Sequence, residues 1–415
     1  MSEADESKLD TQRIQRALDG CERGKAVVLR AHGASDAFVS GALQLRRGVT
    51  LVVDNGATLF MSINPALFEN APGSCGIVNT TGGPGCKPFI AVDGVAGAGI
   101  MGDGVIDGRG GIKLLGRSMS AWQTGQNSNP GSKKLSRMVV ANDADDFTMY
   151  RITLRNSPNF NVSYNGGNGF TVWGVKIDTP RRDGKAKDPL SRNTDGIDPG
   201  NGARNITITR SFIRTGDDNI AIKGGPGGVS NMTVSHNHFY WGHGMSIGSQ
   251  KMGGVDKVLV TDLTLDGTES GLRIKSAGDR GGLVQNITYQ DVCIRNSERP
   301  IDISASYKAN NAAAGSAAPI YRDITMRDVR VAGGGQILIE GFDSSHPANV
   351  LLDGVFTTDS AEYSYDVKHA NIVVGPLGTN LKVTQAASAA RAPSSAASKI
   401  GASCVERFVA FPEVH

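Results

Sequence analysis

Six side chains in this sequence could do chemistry together: Asp195, Asp217, Asp218, His243, Arg273 and Lys275. Three carboxylates crowded into one place repel one another, so at least one of them should hold a proton near neutrality. A protonated carboxylic acid beside ionised carboxylates is what acid-catalysed glycosidic cleavage needs. Arg273 and Lys275, two apart and on one side of a strand, add fixed positive charge suited to a carboxylate on the substrate. The chemistry implied is hydrolysis of an acidic polysaccharide. Taken singly, each group also has a plainer reading. Asp195 and Asp217-Asp218 follow turn residues, His243 lies between two glycines, and alternate basic residues are common on exposed strands. Clustered acids could also hold calcium.

Their proximity rests on an internal repeat. The phrase polar–apolar–Thr–apolar occurs as Asp146-Phe-Thr-Met149, Gly169-Phe-Thr-Val172, Asn205-Ile-Thr-Ile208 and Asn231-Met-Thr-Val234. It continues, with Leu at times in the Thr place, as Lys257-Val-Leu-Val260, Asn286-Ile-Thr-Tyr289, Asp323-Ile-Thr-Met326 and Asn349-Val-Leu-Leu352. Third positions fall at 148, 171, 207, 233, 259, 288, 325 and 351, a period of about 26 with insertions near Arg181–Arg192 and Tyr307–Pro319. Short strands and turns at that period, without the leucine-rich frame and shorter than a propeller blade, predict an all-β parallel β-helix. Successive coils then stack about 4.7–4.9 Å apart. Asp217 and Asp218 lie 10 and 11 residues past Thr207, and His243 lies 10 past Thr233. With insertions subtracted, Asp195, Arg273 and Lys275 fall at nearly the same phase.

Before the repeats, Ile14, Ala17, Leu18 and Cys21 mark one face of a helix over 10–21, with Asp10 or Thr11 as its N-cap. That helix reads as a cap on the first coil. Strand-like runs follow at Ala26–Leu29, Val49–Val53 and Phe89–Val92. The Ala/Ser-rich stretch 386–403 reads as a linker before a last strand over Val405–Phe411. All 415 residues are expected to form one solenoid domain.

Composition removes other classes. With 43 Lys+Arg against 40 Asp+Glu the formal charge is +3, so no bulk field points to nucleic acid. No apolar run approaches the ~18 residues of a membrane helix, and Met1–Asp10 has no signal-peptide pattern. The chain is therefore either cytosolic or a mature form that carries a start methionine. Five cysteines are too few and scattered for a disulfide scaffold, and no CxxC pair suggests zinc. Cys75 and Cys86, in a Gly/Pro-rich stretch, suit a loop disulfide as well as they suit two thiols. Five Asn-x-Ser/Thr sequons occur, at Asn79, Asn161, Asn205, Asn231 and Asn286, and the last three are the repeat phrase itself.

The segments Asn193-Thr-Asp-Gly-Ile-Asp-Pro199, Thr215-Gly-Asp-Asp-Asn-Ile-Ala-Ile-Lys223, Gly242-His-Gly-Met-Ser-Ile-Gly-Ser249 and Arg273-Ile-Lys275 carry a resemblance. In this order they are similar to the four signature blocks of the polygalacturonases of glycoside hydrolase family 28, and nearest to bacterial endo-acting members. Asp107-Gly-Arg-Gly110, Asn156-Ser-Pro-Asn-Phe160 and Asp10-Thr-Gln-Arg-Ile-Gln15 extend the likeness over most of the chain. The resemblance implies a right-handed, single-stranded parallel β-helix that hydrolyses α-1,4 bonds of de-esterified pectin with inversion. It implies Asp217 as general acid, Asp195 and Asp218 as joint activators of water, and His243 as the group that holds the acid's protonation state. Arg273 and Lys275 would bind a sugar carboxylate, Asn193 would line the cleft, and Tyr307 would stack on substrate. It also implies no metal or other cofactor, a polygalacturonate partner, no nucleic acid or membrane partner, a monomer, and secretion. An inverting pair of carboxyl groups should stand about 6.5–9.5 Å apart.

One departure is the longer, basic link Pro180–Arg192, where Arg181, Arg182, Lys185 and Lys187 could hold a polyanion at the cleft edge or form a solvated loop. Competing readings are an exo-acting or rhamnogalacturonan hydrolase of the same family and a calcium-dependent pectate lyase. A non-catalytic β-helical adhesin is a third. The His243 and Arg273-Ile-Lys275 blocks argue for the hydrolase.

Overall fold

The computed structural model describes residues 5–33, 35–78, 83–128, 134–180, 191–249, 252–276, 278, 280–307, 318–383 and 404–413. Residue contacts divide the chain into two units, one of residues 1–198 and 213–217, the other of residues 199–212 and 218–413. The fold is the expected parallel β-helix. The basic stretch that holds Arg181, Arg182, Lys185 and Lys187, the sequon at Asn79 and the linker 386–403 lie outside the described residues.

In the first unit the helix spans Thr11–Asp19. Asp10 sits at its N-cap but aims its carboxylate elsewhere, accepting Val39 N–H at 3.2 Å. Ile14 and Leu18 are buried, while Ala17 is exposed and Cys21 half-buried, so the apolar face is narrower than the spacing predicts. Capping is done by Gln15. Its amide donates to Gln44 C=O at 3.0 Å and accepts Gln44 N–H at 2.9 Å, in place of a neighbouring strand. Behind it Ala26–Leu29, Thr50–Val53, Gly99–Met101, Phe147–Tyr150 and Asn168–Trp173 pair in parallel. A second ladder joins Leu43–Gln44, Ile90–Asp93, Val139–Asn142 and Val162–Asn165.

In the second unit, long strands from Ala203–Thr209 through Val229–Tyr240, Val255–Asp266, Leu283–Arg295 and Ile320–Ala332 to Ala348–Thr357 form one ladder. The other runs Ile220–Ile222, Met245–Ile247, Ser270–Lys275, Arg299–Ser304, Gly335–Glu340 and Tyr363–Lys368.

The repeat phrase sets these registers. Thr148 lies opposite Thr171, and Thr207, Thr233, Leu259, Thr288, Thr325 and Leu351 oppose one another in succession. The two apolar places of each phrase face inward, as Phe147 and Met149 or Ile206 and Ile208 do. Its polar first place is a left-handed corner, with φ of 51° at Asp146, 57° at Asn205, 56° at Asn231 and 55° at Asn286. Asn and Asp tolerate that conformation best, which explains the recurring sequon-like phrase. Asn161 differs: it is fully buried, and its amide donates to Asp195 C=O at 3.1 Å and Thr194 C=O at 3.3 Å. That sequon serves the core.

Cys75 and Cys86 form a disulfide, as does Cys293 with Cys404, so four of the cysteines staple the fold where scatter suggested no scaffold. The second bridge joins residues 111 apart and removes roughly 5 kcal/mol of unfolded-chain entropy. The expected last strand over Val405–Phe411 does not form. Side chains tie that segment down instead: Arg407 bonds Asp262 and Asp291, Phe408 lies 4.3 Å from Arg295, and Val409 C=O accepts Tyr240 O–H at 2.9 Å.

Candidate active site

The second unit assembles five of the eight expected residues. Ser270–Lys275 is a buried strand that turns Leu272 and Ile274 into the core. Arg273 and Lys275 take the alternate places and point the other way. Lys275 Nζ reaches both oxygens of Asp218, at 2.8 and 3.1 Å, and an Arg273 nitrogen lies 3.8 Å away. Ser246 Oγ donates to the same carboxylate at 2.7 Å, and His243 Nδ1 stands 4.0 Å from it. Asp218 is only 2% exposed, so a buried carboxylate is matched by two cations and a hydroxyl. Tyr307, 36% exposed, covers the cations, with its ring centre 5.4 Å from the Arg273 guanidinium and 5.5 Å from Lys275 Nζ.

Glycine places the histidine. Gly244 has φ of 75°, and a Cβ there would run into the carbonyl oxygens of Ser270 and Gly271. The glycine beside His243 therefore lets neighbouring coils approach closely.

The phase assigned to the cations from sequence needs correcting. Register places Ile220 opposite Met245 and Met245 opposite Leu272. Asp218 therefore shares a rung with His243, and Arg273 shares one with Ser246 and Asp302. Of the three extra residues in the coil after Leu259, one precedes this strand and two follow it. Subtracting all three shifted Arg273 and Lys275 too far. Long side chains bridge the difference.

Two acids here escaped the sequence reading. Asp302 pairs with Arg273 at 3.0 Å and accepts Ser270 Oγ–H at 3.2 Å. Glu269, next to the residue inserted before the strand, accepts from His243 Nε2 at 3.1 Å. That hydrogen bond, outweighing burial, pulls Glu269 from 4.5 down to about 2. The periodic phrase could not reveal either, but an acid four places before Arg273 was a usable signal.

A depressed carboxylate contributes stability above its unfolded value and loses it as pH falls through its folded one. The protein should therefore lose stability between about pH 4.5 and 2 partly through Glu269. Glu269→Gln should flatten that part of the curve of unfolding free energy against pH. An unchanged slope would show that the His243 bond contributes nothing.

The first unit holds the other three. Asp195 is 2% exposed and anchored through its backbone, since its carbonyl accepts Asn161 N–H at 2.8 Å. Gly216 N–H donates to Thr194 Oγ1 at 3.0 Å, and a Cβ on Gly216 would strike Ser191. The Thr215–Asp217 turn can thus lie close on the 191–194 segment. Asp217 is half-buried, accepts Asn193 N–H at 3.3 Å, and precedes Asp218 directly in the chain. Asn193 takes φ of 56°, which turns its N–H to that carboxylate.

The chain as a whole is similar to known proteins. A family model described as Glycosyl hydrolases family 28 matches residues 43–375. The chain is 41% identical over 372 residues to an endo-polygalacturonase of Pectobacterium carotovorum subsp. carotovorum, covering 88% of each. It is 37% identical over 413 residues to a polygalacturonase of Ralstonia nicotianae, covering 90% of this chain and 77% of the relative. A solved polygalacturonase from Erwinia carotovora ssp. carotovora superposes with a TM-score of 0.81 at 39% identity, covering 90% of this chain and 95% of that one.

Proposed function

The chain belongs to glycosyl hydrolases family 28, and we propose that it hydrolyses α-1,4 bonds inside polygalacturonate chains, inverting the configuration at the cleaved carbon. The observation that carries this reading is the pair Arg273 and Lys275, buried against Asp218 and roofed by the Tyr307 ring. Two cations beside an exposed aromatic ring suit a sugar that bears a carboxylate. A neutral glycan would gain nothing from them. Endo action is supported by the likeness to the endo-acting relative.

In this reading Asp217 protonates the leaving glycosidic oxygen. Asp195 and Asp218 accept the proton of the attacking water, and the new bond forms on the opposite face of the ring. His243, hydrogen-bonded to Glu269, keeps the acid supplied with its proton. Arg273 and Lys275 hold the uronate carboxylate beyond the scissile bond, Asn193 lines the cleft, and Tyr307 stacks on the sugar. No metal takes part, because side chains supply the positive charge. The acting species is the single chain. It works outside the cell, where its polymer lies and where two disulfides persist.

The test is incubation with polygalacturonate in chelator while reducing ends, viscosity and ultraviolet absorbance are followed together. Endo-hydrolysis gives reducing ends with an early fall in viscosity and no new absorbance. Absorbance that needs calcium restored would mean a lyase and would overturn the assignment of the acid.

A further inference from the structure

Arg137 lies outside every residue set used so far, yet register brings it to the base. It precedes the strand Val139–Asn142, which pairs with Val162–Asn165 so that Val139 opposes Val162. Arg137 therefore falls opposite Phe160. Asn161 N–H and Val162 N–H donate to the carbonyls of Asp195 and Gly196, which carries the same register into the next coil. Arg137, Phe160 and Asp195 thus occupy one position on three successive coils, and Ser163 and Asp198 share another.

The guanidinium reaches along this column. It lies over the Phe160 ring, 4.4 Å from the centroid, and donates to Ser163 Oγ at 3.4 Å. Asp195 and Asp198 are 2% and 4% exposed. Burial pushes the guanidinium down, while the charges of Asp198 and then Asp195 draw it back up. Such attraction is mutual, so a charged Arg137 favours ionised carboxylates. A guanidinium lying over a ring is also held in place more firmly than a lysine ammonium would be.

We propose that Arg137 is a positioning residue for water activation: lying over the Phe160 ring, it keeps Asp195 ionised as the base. This rests on the reading of Asp195 given above. Among the described residues of the same unit, Asp198 lies on its own strand and Asp217 comes from the segment packed on Thr194. Both are acidic and oppose ionisation of Asp195, while the charge of Arg137 favours it.

A base is lost when it takes up a proton. Without the cation Asp195 should protonate at higher pH, and the acidic limb of kcat/KM should move upward. Arg137→Gln is expected to shift that limb up by about one pH unit and to leave KM on the plateau nearly unchanged. Arg137→Lys, which keeps the charge but is held less firmly on the ring, should shift the limb less than Arg137→Gln does. Phe160→Leu, which keeps the charge but removes its platform, should shift the limb less than Arg137→Gln does, and it serves if the Gln variant fails to fold. A limb that stays put overturns the proposal. A raised KM with an unmoved limb would mean that Arg137 touches substrate, and a lower Tm alone would mean a structural role. Asp195→Asn is the control: if it keeps full activity, the base is misassigned, whatever the Arg137 variants show.

Discussion

Asp217→Asn is expected to lower kcat on polygalacturonate by about a thousandfold, within the range that a positioned general acid contributes. The substitution keeps the shape of the side chain and can still accept Asn193 N–H, found at 3.3 Å. What it removes is the acidic proton. Since that proton moves only as the bond breaks, KM should change little. The half-buried site tolerates an amide, so Tm should stay close to that of the parent. Leaving-group chemistry sharpens the test. A galacturonide with a good aryl leaving group needs less protonation and should lose far less than the polymer. If both substrates lose equally, or if the variant keeps more than a few per cent of its activity, Asp217 is not the acid.

Much of this was legible because a solenoid converts sequence interval into distance. The repeat phrase aligns Thr207, Thr233, Leu259 and Thr288, and each opposes the next in the structure. The phrase works because one residue must turn the corner, two must face inward and one must face outward. That leaves a four-letter imprint at every coil. Cys75 and Cys86 sat near enough in sequence for a loop bridge to be considered.

What the pattern hid has physical reasons. A coil can absorb extra residues at any corner, so length alone does not say where they go, and Arg273 was misphased for that reason. Cys404 follows a linker whose path carries no period, so its bond to Cys293 could not be read from spacing. Val405–Phe411 has the apolar content of a strand, yet Arg407 fastens it to Asp262 and Asp291 by charge. Asn161 matches the sequon pattern, but its amide holds the backbone of Asp195. Glu269 and Asp302 orient the groups that the signature blocks name, and nothing periodic marks either.

Lys275→Met should give the largest loss of stability, about 3 kcal/mol, the low end for breaking a buried pair. Lys275 is 6% exposed and Asp218 2%, so the carboxylate left behind cannot turn to water. Ser246 at 2.7 Å and Arg273 at 3.8 Å still face it, which keeps the loss from being larger. Methionine fills the space of the lysine stem, so packing is not the cause. Urea unfolding of the single variants and of Lys275→Met with Asp218→Asn separates the terms. In the double variant no charge is stranded, and it should be more stable than Lys275→Met alone. Activity behaves differently. If the proposed roles hold, with Lys275 binding the uronate carboxylate and Asp218 activating water, both single variants and the double should be nearly inactive on polygalacturonate. Restored stability without restored activity would separate what the pair does for the fold from what it does for the reaction. A loss under about 0.5 kcal/mol for Lys275→Met, the size of an exposed pair, would mean that water already reaches Asp218.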